Sequence, residues 1–229
     1  MESRRASVFL LNKLDLPSML LPKLEPPLGA SQFTGREDVW RLCANYLEYI
    51  VPFQNRRWHP ISEHIYGVIE ASKGSLDAKA LNLGVAVEGV AMFAFEHLAC
   101  ASASLKAEFP DLLKHVSSWE GFRRDDSEAS SLLRRVNGLL GALLRPSVNE
   151  IFKILLAQGS ISKDEVVAWK QLRHPRAHGK LSDSAELEGS LWAAGKVTVL
   201  LYKLIFTAVG YSGPYIDYGA KGWPTRQHS

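Results

Sequence analysis

The longest apolar stretch of the chain constrains its fold more than any other feature of the sequence. Residues 80–100 read ALNLGVAVEGVAMFAFEHLAC, a run long enough to cross a membrane as a helix. Asn82, Glu88, Glu96 and His97 interrupt the run, and ionisable side chains are costly in lipid. A helix at the centre of a bundle can be apolar around most of its circumference and still carry a few polar groups. We therefore predict a central bundle helix here and no membrane span.

Amphipathic segments with a period near 3.6 residues lie on both sides of this central helix. They cover residues 35–50, 59–72, 130–144, 147–158, 162–174 and 184–210. Pro60 stands at a predicted helix start, and Gly210 stands where a glycine often ends a helix. Ser162 and Glu165 have the spacing of a capping box. Because no alternating strand pattern extends beyond a few residues, the sequence predicts an all-α fold, an up-and-down bundle with additional helices on its N-terminal side.

The chain divides into three parts by composition. Residues 1–34 combine leucines with charges and four prolines, which predicts an extended arm that lies across another surface, or a linker from a longer protein. Residues 35–218 form the helical domain, with a core at about 75–210. Residues 219–229 are the C-terminal tail, the end of a stretch over 210–229 with Gly, Pro and aromatic side chains that its tyrosines are expected to order in part.

The overall composition is that of a soluble globular protein and offers no metal site. The 229 residues are 46% hydrophobic and 22% charged, with a net charge of +3. The only two cysteines, Cys43 and Cys100, lie in apolar helical patterns, so we predict buried free thiols and a reducing, cytoplasmic location. No CxxC or HExxH spacing is present, and therefore neither a metal nor another cofactor is expected.

Positive charge is concentrated in residues 170–180, which read KQLRHPRAHGK without an acidic residue. The cations are Lys170, Arg173, Arg176 and Lys180, and the histidines are His174 and His178. Clustered cations and a side chain that titrates near neutral pH suit an anionic partner and proton transfer.

The position of a proline in this run predicts a break in the helix. On a straight helix Arg173 and His178 would lie about 140° apart and could not serve one site. Pro175 lacks a backbone donor and crowds the preceding turn, and Gly179 permits a sharp exit. We therefore expect the helix to kink or end near residue 174, which allows the arginine and histidine to converge.

The segment LRHPRAHG resembles the signature of the HEPN superfamily, whose helical-bundle domains occur in many prokaryotic toxins and phage-defence nucleases. Arg173, His174 and His178 stand at the arginine, the polar residue and the histidine of that signature. The flanking Leu172 and Gly179 make the segment resemble the ApeA-like branch, in which a leucine precedes the arginine and a glycine follows the histidine. The resemblance covers about residues 75–218 and implies a HEPN-like bundle. His174 stands where asparagine is commoner, and a proline lies in the spacer.

The resemblance implies metal-independent RNA cleavage, in which the ribose 2′-hydroxyl attacks the adjacent phosphate. His178 would move the proton, Arg173 would bind the charge of the transition state, and His174 would either orient the phosphate or be a surface residue. RNA is required because DNA lacks the 2′-hydroxyl. The family also implies a homodimer with a composite site, an antitoxin or sensor partner, and a role as the effector of a toxin or antiviral system.

Other residues are candidates for supporting this site. Lys170, Arg176 and Lys180 form a basic rim that could contact the RNA backbone. Glu88 would be costly if it were dry and unpaired, so it either holds Arg173 or lies at a wet seam between helices. Tyr202 either reaches the site or is a core residue with a satisfied hydroxyl, and Trp169 is expected to be core.

A second class of function stays open at this point. The chain could be a non-catalytic HEPN-like module that binds RNA or nucleotide, or a dimerisation and interaction domain of a defence sensor. The intact arginine and histidine favour the ribonuclease, while the His-Pro spacer and the weak overall charge of the chain allow the alternative.

Overall fold

A computed structural model describes residues 24–29, 36–53, 58–119, 122, 127–177 and 187–229, with the backbone alone for 174–177, 187 and 188. Within these ranges the chain forms eight α-helices, one 3₁₀ turn and a two-stranded antiparallel sheet. The helices are α1 (Arg36–Ile50), α2 (Pro60–Ala71), α3 (Leu76–Phe95), α4 (Ala103–Ser117), α5 (Ser127–Ala142), α6 (Val148–Ala157), α7 (Lys163–Ala177) and α8 (Leu187–Val209). The 3₁₀ turn is Glu96–Ala99, and the strands are β1 (Gly213–Ile216) and β2 (Thr225–His228). The predicted all-α helical bundle is confirmed.

Helix α3 lies at the centre of the core, as its composition predicts. It packs against α2, α7 and α8, and its Leu83, Val87 and Val90 are fully buried. Helix α8 contributes a second apolar face that includes Leu200 and Leu204. Because α3 has neighbours on several sides, apolar residues all round its surface have partners.

Two segments are long and apolar enough to cross a membrane when judged by length and composition alone. They are Leu76–Ala99, whose apolar window is 44% buried in the fold, and Gly189–Val209, whose window is 56% buried. The core helices of soluble proteins meet the same criterion, so these segments give only weak evidence on location.

Most helix boundaries agree with the sequence patterns, and two features do not. Helix α4 was not expected, because Pro110 interrupts its sequence; Ser102 caps the helix by accepting from the Leu105 N–H at 3.1 Å, and the proline lies inside it. Helix α7 continues to Ala177, so a helix end near residue 174, one of the two predicted outcomes at Pro175, is wrong, while a kink stays a prediction. Pro175 removes one donor in the last turn, where few further helical bonds depend on it.

Both cysteines are exposed, so the prediction of buried thiols is wrong. Cys43 lies on α1, which has no fully buried residue because its apolar face borders an open groove. Cys100 directly follows the 3₁₀ turn, where its Sγ donates to the Glu96 carbonyl at 3.4 Å. Periodicity identified the apolar face of each helix but not whether another element covers that face.

The end of the arm and the C-terminal tail pack together on the bundle. Leu28 is buried, the Pro27 carbonyl accepts from the Ile216 N–H at 3.0 Å, and the Pro26 carbonyl accepts from the Tyr218 hydroxyl at 2.7 Å. Tyr211, Tyr215 and Tyr218 are buried, which confirms that tyrosines order this region. The β1–β2 hairpin crosses the predicted boundary at residue 218, and strands of four residues are too short for an alternating pattern to show.

Candidate functional site

Helix α7 is fixed at its start by the predicted capping box. The Glu165 N–H donates to the Ser162 Oγ at 3.3 Å, and the Ser162 N–H donates to the Glu165 Oε2 at 2.9 Å. Val166, Trp169 and Leu172 then form the buried face of the helix. This burial sets the rotation of α7 and determines where Arg173 projects.

Arg173 pairs with Glu88 across the contact between α7 and α3. Its Nη2 lies 2.6 Å from the Glu88 Oε2, and the side chains are 33% and 38% exposed. The predicted pairing of these two residues is thereby confirmed. Because the arginine keeps part of its surface in solvent, a phosphate can approach the guanidinium while Glu88 holds it.

The ring of Trp169 contacts the same guanidinium. The Arg173 Cζ lies 5.6 Å from the centre of the Trp169 ring, within the range of a cation–π contact. The indole is buried, donates from Nε1 to the Gly84 carbonyl at 3.2 Å, and meets Phe152 edge-to-face. Trp169 is therefore a core residue, as expected.

A glycine on α3 lies where the two helices cross. A Cβ at Gly84 would lie 3.4 Å from the Arg173 Cβ, at the short end of ordinary van der Waals contact. The backbone of α3 therefore approaches the stem of Arg173 directly. Glu88 follows one turn later on the same face and meets the end of the arginine.

The structure describes only some of the remaining residues of the basic run. His178 and Lys180 lie outside the described residues, and of His174 and Arg176 only the helical backbone is described. Lys170 is exposed on α7. The convergence of Arg173 with His178 stays a prediction. Helix α7 extends to Ala177, the residue directly before that histidine.

Tyr202 is a core residue, and the suggestion that it reaches the Arg173 site is wrong. Its hydroxyl donates to the Glu25 carbonyl in the N-terminal segment, and its ring stacks on Phe206. Burial raises the pKa of Tyr202 well above its ordinary value. The side chain therefore anchors the end of the arm to α8.

His64 is a titratable neighbour of the site that sequence reasoning missed. Its imidazole occupies the space where a Cβ would stand at Gly89, with Nε2 well inside van der Waals distance of that position. Gly89 directly follows Glu88, so α2 places an imidazole beside this part of α3. Burial lowers the pKa of His64, while Glu63 acts in the opposite direction. The glycine in VEGVA was the only signal of this contact in the sequence.

A second polar cluster connects α7, α8 and the hairpin. The Lys203 Nζ lies 2.7 Å from the Glu165 Oε1, with both side chains nearly buried, and it also lies 5.5 Å from the centre of the Tyr215 ring. Burial by itself lowers the pKa of Lys203, but Glu165 and Tyr215 together outweigh burial and the net pKa is raised. His228 approaches the cluster through Thr207, whose Oγ1 is 3.3 Å from the imidazole Nε2.

An apolar groove lies on another face of the molecule. Its volume is about 790 Å³, and its walls come from the end of the arm, α1, α2 and α8. Cys43, Tyr46 and Phe206 are among its lining residues. Within the described ranges no three His, Cys, Asp or Glu side chains gather as metal ligands, in this groove or elsewhere.

No family model, no curated protein and no solved structure matches this chain. The assignment of a site at Arg173 therefore depends on the sequence motif and on the geometry of Arg173, Glu88 and Trp169. That geometry provides a fixed, partly exposed cation at the end of a basic helix.

Proposed function

We propose that this chain is a metal-independent endoribonuclease of the HEPN type. The observation that carries the proposal is the Arg173–Glu88 pair at 2.6 Å above the Trp169 ring. Transition-state stabilisation requires a charged donor whose position is fixed before the reaction. A guanidinium held by a carboxylate and a ring, and still open to solvent, meets that requirement.

The proposed reaction is an intramolecular transesterification. The ribose 2′-oxygen bonds to the adjacent phosphorus, and the bond from phosphorus to the 5′-oxygen breaks. His178 takes the proton of the 2′-hydroxyl, and a proton is returned to the 5′-oxygen of the leaving strand. Arg173 binds the phosphate oxygens as charge develops, and His174 orients them. The products are a 2′,3′-cyclic phosphate and a 5′-hydroxyl.

The basic residues around the site would bind the RNA backbone. Lys170 is exposed on the same helix as Arg173, and Arg176 follows in its last turn. With Lys180 they would supply the electrostatic part of binding, which weakens as salt rises. The proposal also includes a homodimer with a composite site, an antitoxin or sensor partner, a cytoplasmic location and a role in toxin or antiviral defence.

The test is cleavage of RNA by the purified chain in EDTA. We expect RNA to be cut with 2′,3′-cyclic phosphate ends, and DNA of the same sequence to stay intact because it lacks the attacking hydroxyl. RNA that survives intact under these conditions, or cleavage that requires an added divalent metal, would contradict the proposal.

The second candidate is a non-catalytic module that binds RNA or nucleotide through the same basic helix. The helical path of α7 to Ala177 favours it, because the helix does not end at Pro175, which was one way to bring Arg173 and His178 together. Salt-dependent RNA binding without cleavage would be the result expected for this candidate.

A further inference from the structure

Helices α4 and α5 leave rows of leucine uncovered. On α4, Leu105 and Leu112 are 42% and 41% exposed. On α5, Leu132 and Leu139 are 48% and 72% exposed, and Leu143, directly after the end of the helix, is 64% exposed. Residues seven apart fall on the same side of a helix, so Leu105 with Leu112, and Leu132 with Leu139, form a leucine row on each helix.

These leucine rows are separate from the faces that the two helices already use. Phe109 of α4 and Ala129 of α5 are buried, while Val116 and Val136 line a cleft of about 520 Å³ near the connection between the helices. On an ideal helix Leu105 and Leu112 lie about 40° and about 60° to one side of Phe109. The apolar arc of α4 is therefore wider than the part that its own chain covers.

A charged residue borders each row at the same place, and the two charges are opposite. Glu108 lies between Leu105 and Leu112, and Arg135 lies between Leu132 and Leu139. Both patterns read Leu, two residues, the charged residue, three residues, Leu. Glu108 and Arg135 are exposed and lie on the same angular side of their rows.

We propose that a second copy of this chain covers the leucine rows, with α4 of each copy packed antiparallel on α5 of the other. In that register Leu105 meets Leu139, and Leu112 meets Leu132. Flanking residues on the same angular side face each other in an antiparallel helix pair, which brings Glu108 opposite Arg135. The spacing of the leucines and the sign of the charges select the same register.

A two-fold axis repeats this contact. Because one chain carries both the Glu108 row and the Arg135 row, the arrangement closes as an isologous dimer with two equal α4–α5 contacts. The surface lies on α4 and α5 and not at residues 170–180, so the inference does not depend on the proposed ribonuclease activity.

The first test is the association state of the full chain by sedimentation equilibrium at micromolar concentration. We expect a dimer for the wild type and a dissociation constant at least about tenfold weaker for Leu132→Glu, with helix content by circular dichroism unchanged. Leu47→Glu on α1 is the matched control, since Leu47 is 47% exposed and Leu132 is 48% exposed. A monomeric wild type overturns the proposal, and so does a Leu132→Glu variant that dimerises as tightly as the wild type.

The second test determines the register. Glu108→Arg alone and Arg135→Glu alone place like charges opposite each other, so each should weaken dimerisation about tenfold. The double variant restores opposite charges and should return the dissociation constant to within about threefold of the wild type. A double variant as weak as the single ones would overturn the antiparallel α4–α5 pairing.

Discussion

The guanidinium of Arg173 has two neighbours with different effects. Glu88 supplies a charge at 2.6 Å, and the Trp169 ring supplies a surface that limits where the side chain can turn. An ion pair with both partners about one-third exposed contributes only about 0.2–1 kcal/mol to stability, because solvent screens it. The pair therefore affects the position of the arginine more than the stability of the fold.

The first prediction at this scale is that Glu88→Gln reduces RNA cleavage about ten- to a hundredfold, because a loosely held guanidinium misses the transition state. The free energy of unfolding should change by less than about 1 kcal/mol. Single-turnover cleavage and urea unfolding measure the two quantities. Glu70→Gln is the control, because it removes the charge of another ion-paired carboxylate, which accepts from Lys73 at 2.7 Å on an exposed helix face. Equal cleavage by wild type and Glu88→Gln would show that Glu88 has no positioning role.

The second prediction concerns the contact between His64 and Gly89. Alanine normally stabilises a helix interior relative to glycine by about 0.5–1 kcal/mol. At Gly89 the new Cβ would collide with the imidazole, so Gly89→Ala should instead destabilise by about 1–3 kcal/mol. Gly138→Ala on α5, where nothing lies within 4 Å, should stabilise and serves as the control. Thermal unfolding decides between the signs, and a stabilised Gly89→Ala would contradict the packing described.

At the scale of elements, Glu165 connects the start of α7 to α8. Its carboxylate accepts the Ser162 N–H through one oxygen and binds Lys203 through the other. The side chains of Glu165 and Lys203 are only 10% and 13% exposed, so the loss of either charge leaves the other poorly solvated. The pair therefore fixes α7 against α8 about two turns before Arg173.

We predict that Lys203→Met destabilises the protein by about 3 kcal/mol, because it leaves the Glu165 charge nearly buried and unpaired. Adding Glu165→Gln should recover much of that loss, since the amide removes the charge and still reaches the cap. A double-mutant cycle from urea unfolding measures the coupling. Additive losses would show that the two residues do not stabilise each other.

The C-terminal hairpin should respond to acid through His228. Burial, and secondarily Lys203, lower the pKa of His228 below its ordinary value. A depressed histidine pKa means that the folded state favours the neutral ring. This contribution is complete above the unfolded pKa of about 6.5 and is lost as pH falls through the folded value. The groups facing the ring are Lys203 and Thr207 of α8 and, through Lys203, Glu165 of α7.

We therefore predict that His228→Gln makes the free energy of unfolding fall less between about pH 8 and about pH 5 than it does in the wild type. His59 and His64, whose pKa values burial also lowers, keep part of the dependence in both proteins. Urea unfolding across this range provides the measurement. An identical pH dependence in the variant would show that His228 takes no part.

At the scale of the whole molecule, local signals predicted the helices and tertiary contacts decided what could not be predicted. Helix α3 was identifiable from sequence because its own residues are apolar around most of its circumference. Helix α7 was identifiable because Ser162 and Glu165 mark its start. The Glu88–Arg173 pair was predictable because a carboxylate in apolar surroundings needs a partner. The place of His64 was not, because it depends on how α2 crosses α3. Helix α4 and the hairpin were missed because Pro110 interrupts one and the other is too short to show alternation.

The most direct test of the central claim is the single-turnover rate of RNA cleavage in EDTA for wild type, Arg173→Ala and His178→Ala. Both substitutions should reduce the rate by about 10²–10⁴-fold while the circular dichroism spectrum and melting temperature stay near those of the wild type. Arg226→Ala, which removes an exposed arginine paired with Asp217 in the tail, should cleave at the wild-type rate. A His178→Ala variant that cleaves as fast as the wild type, in preparations free of other nucleases, would contradict the account.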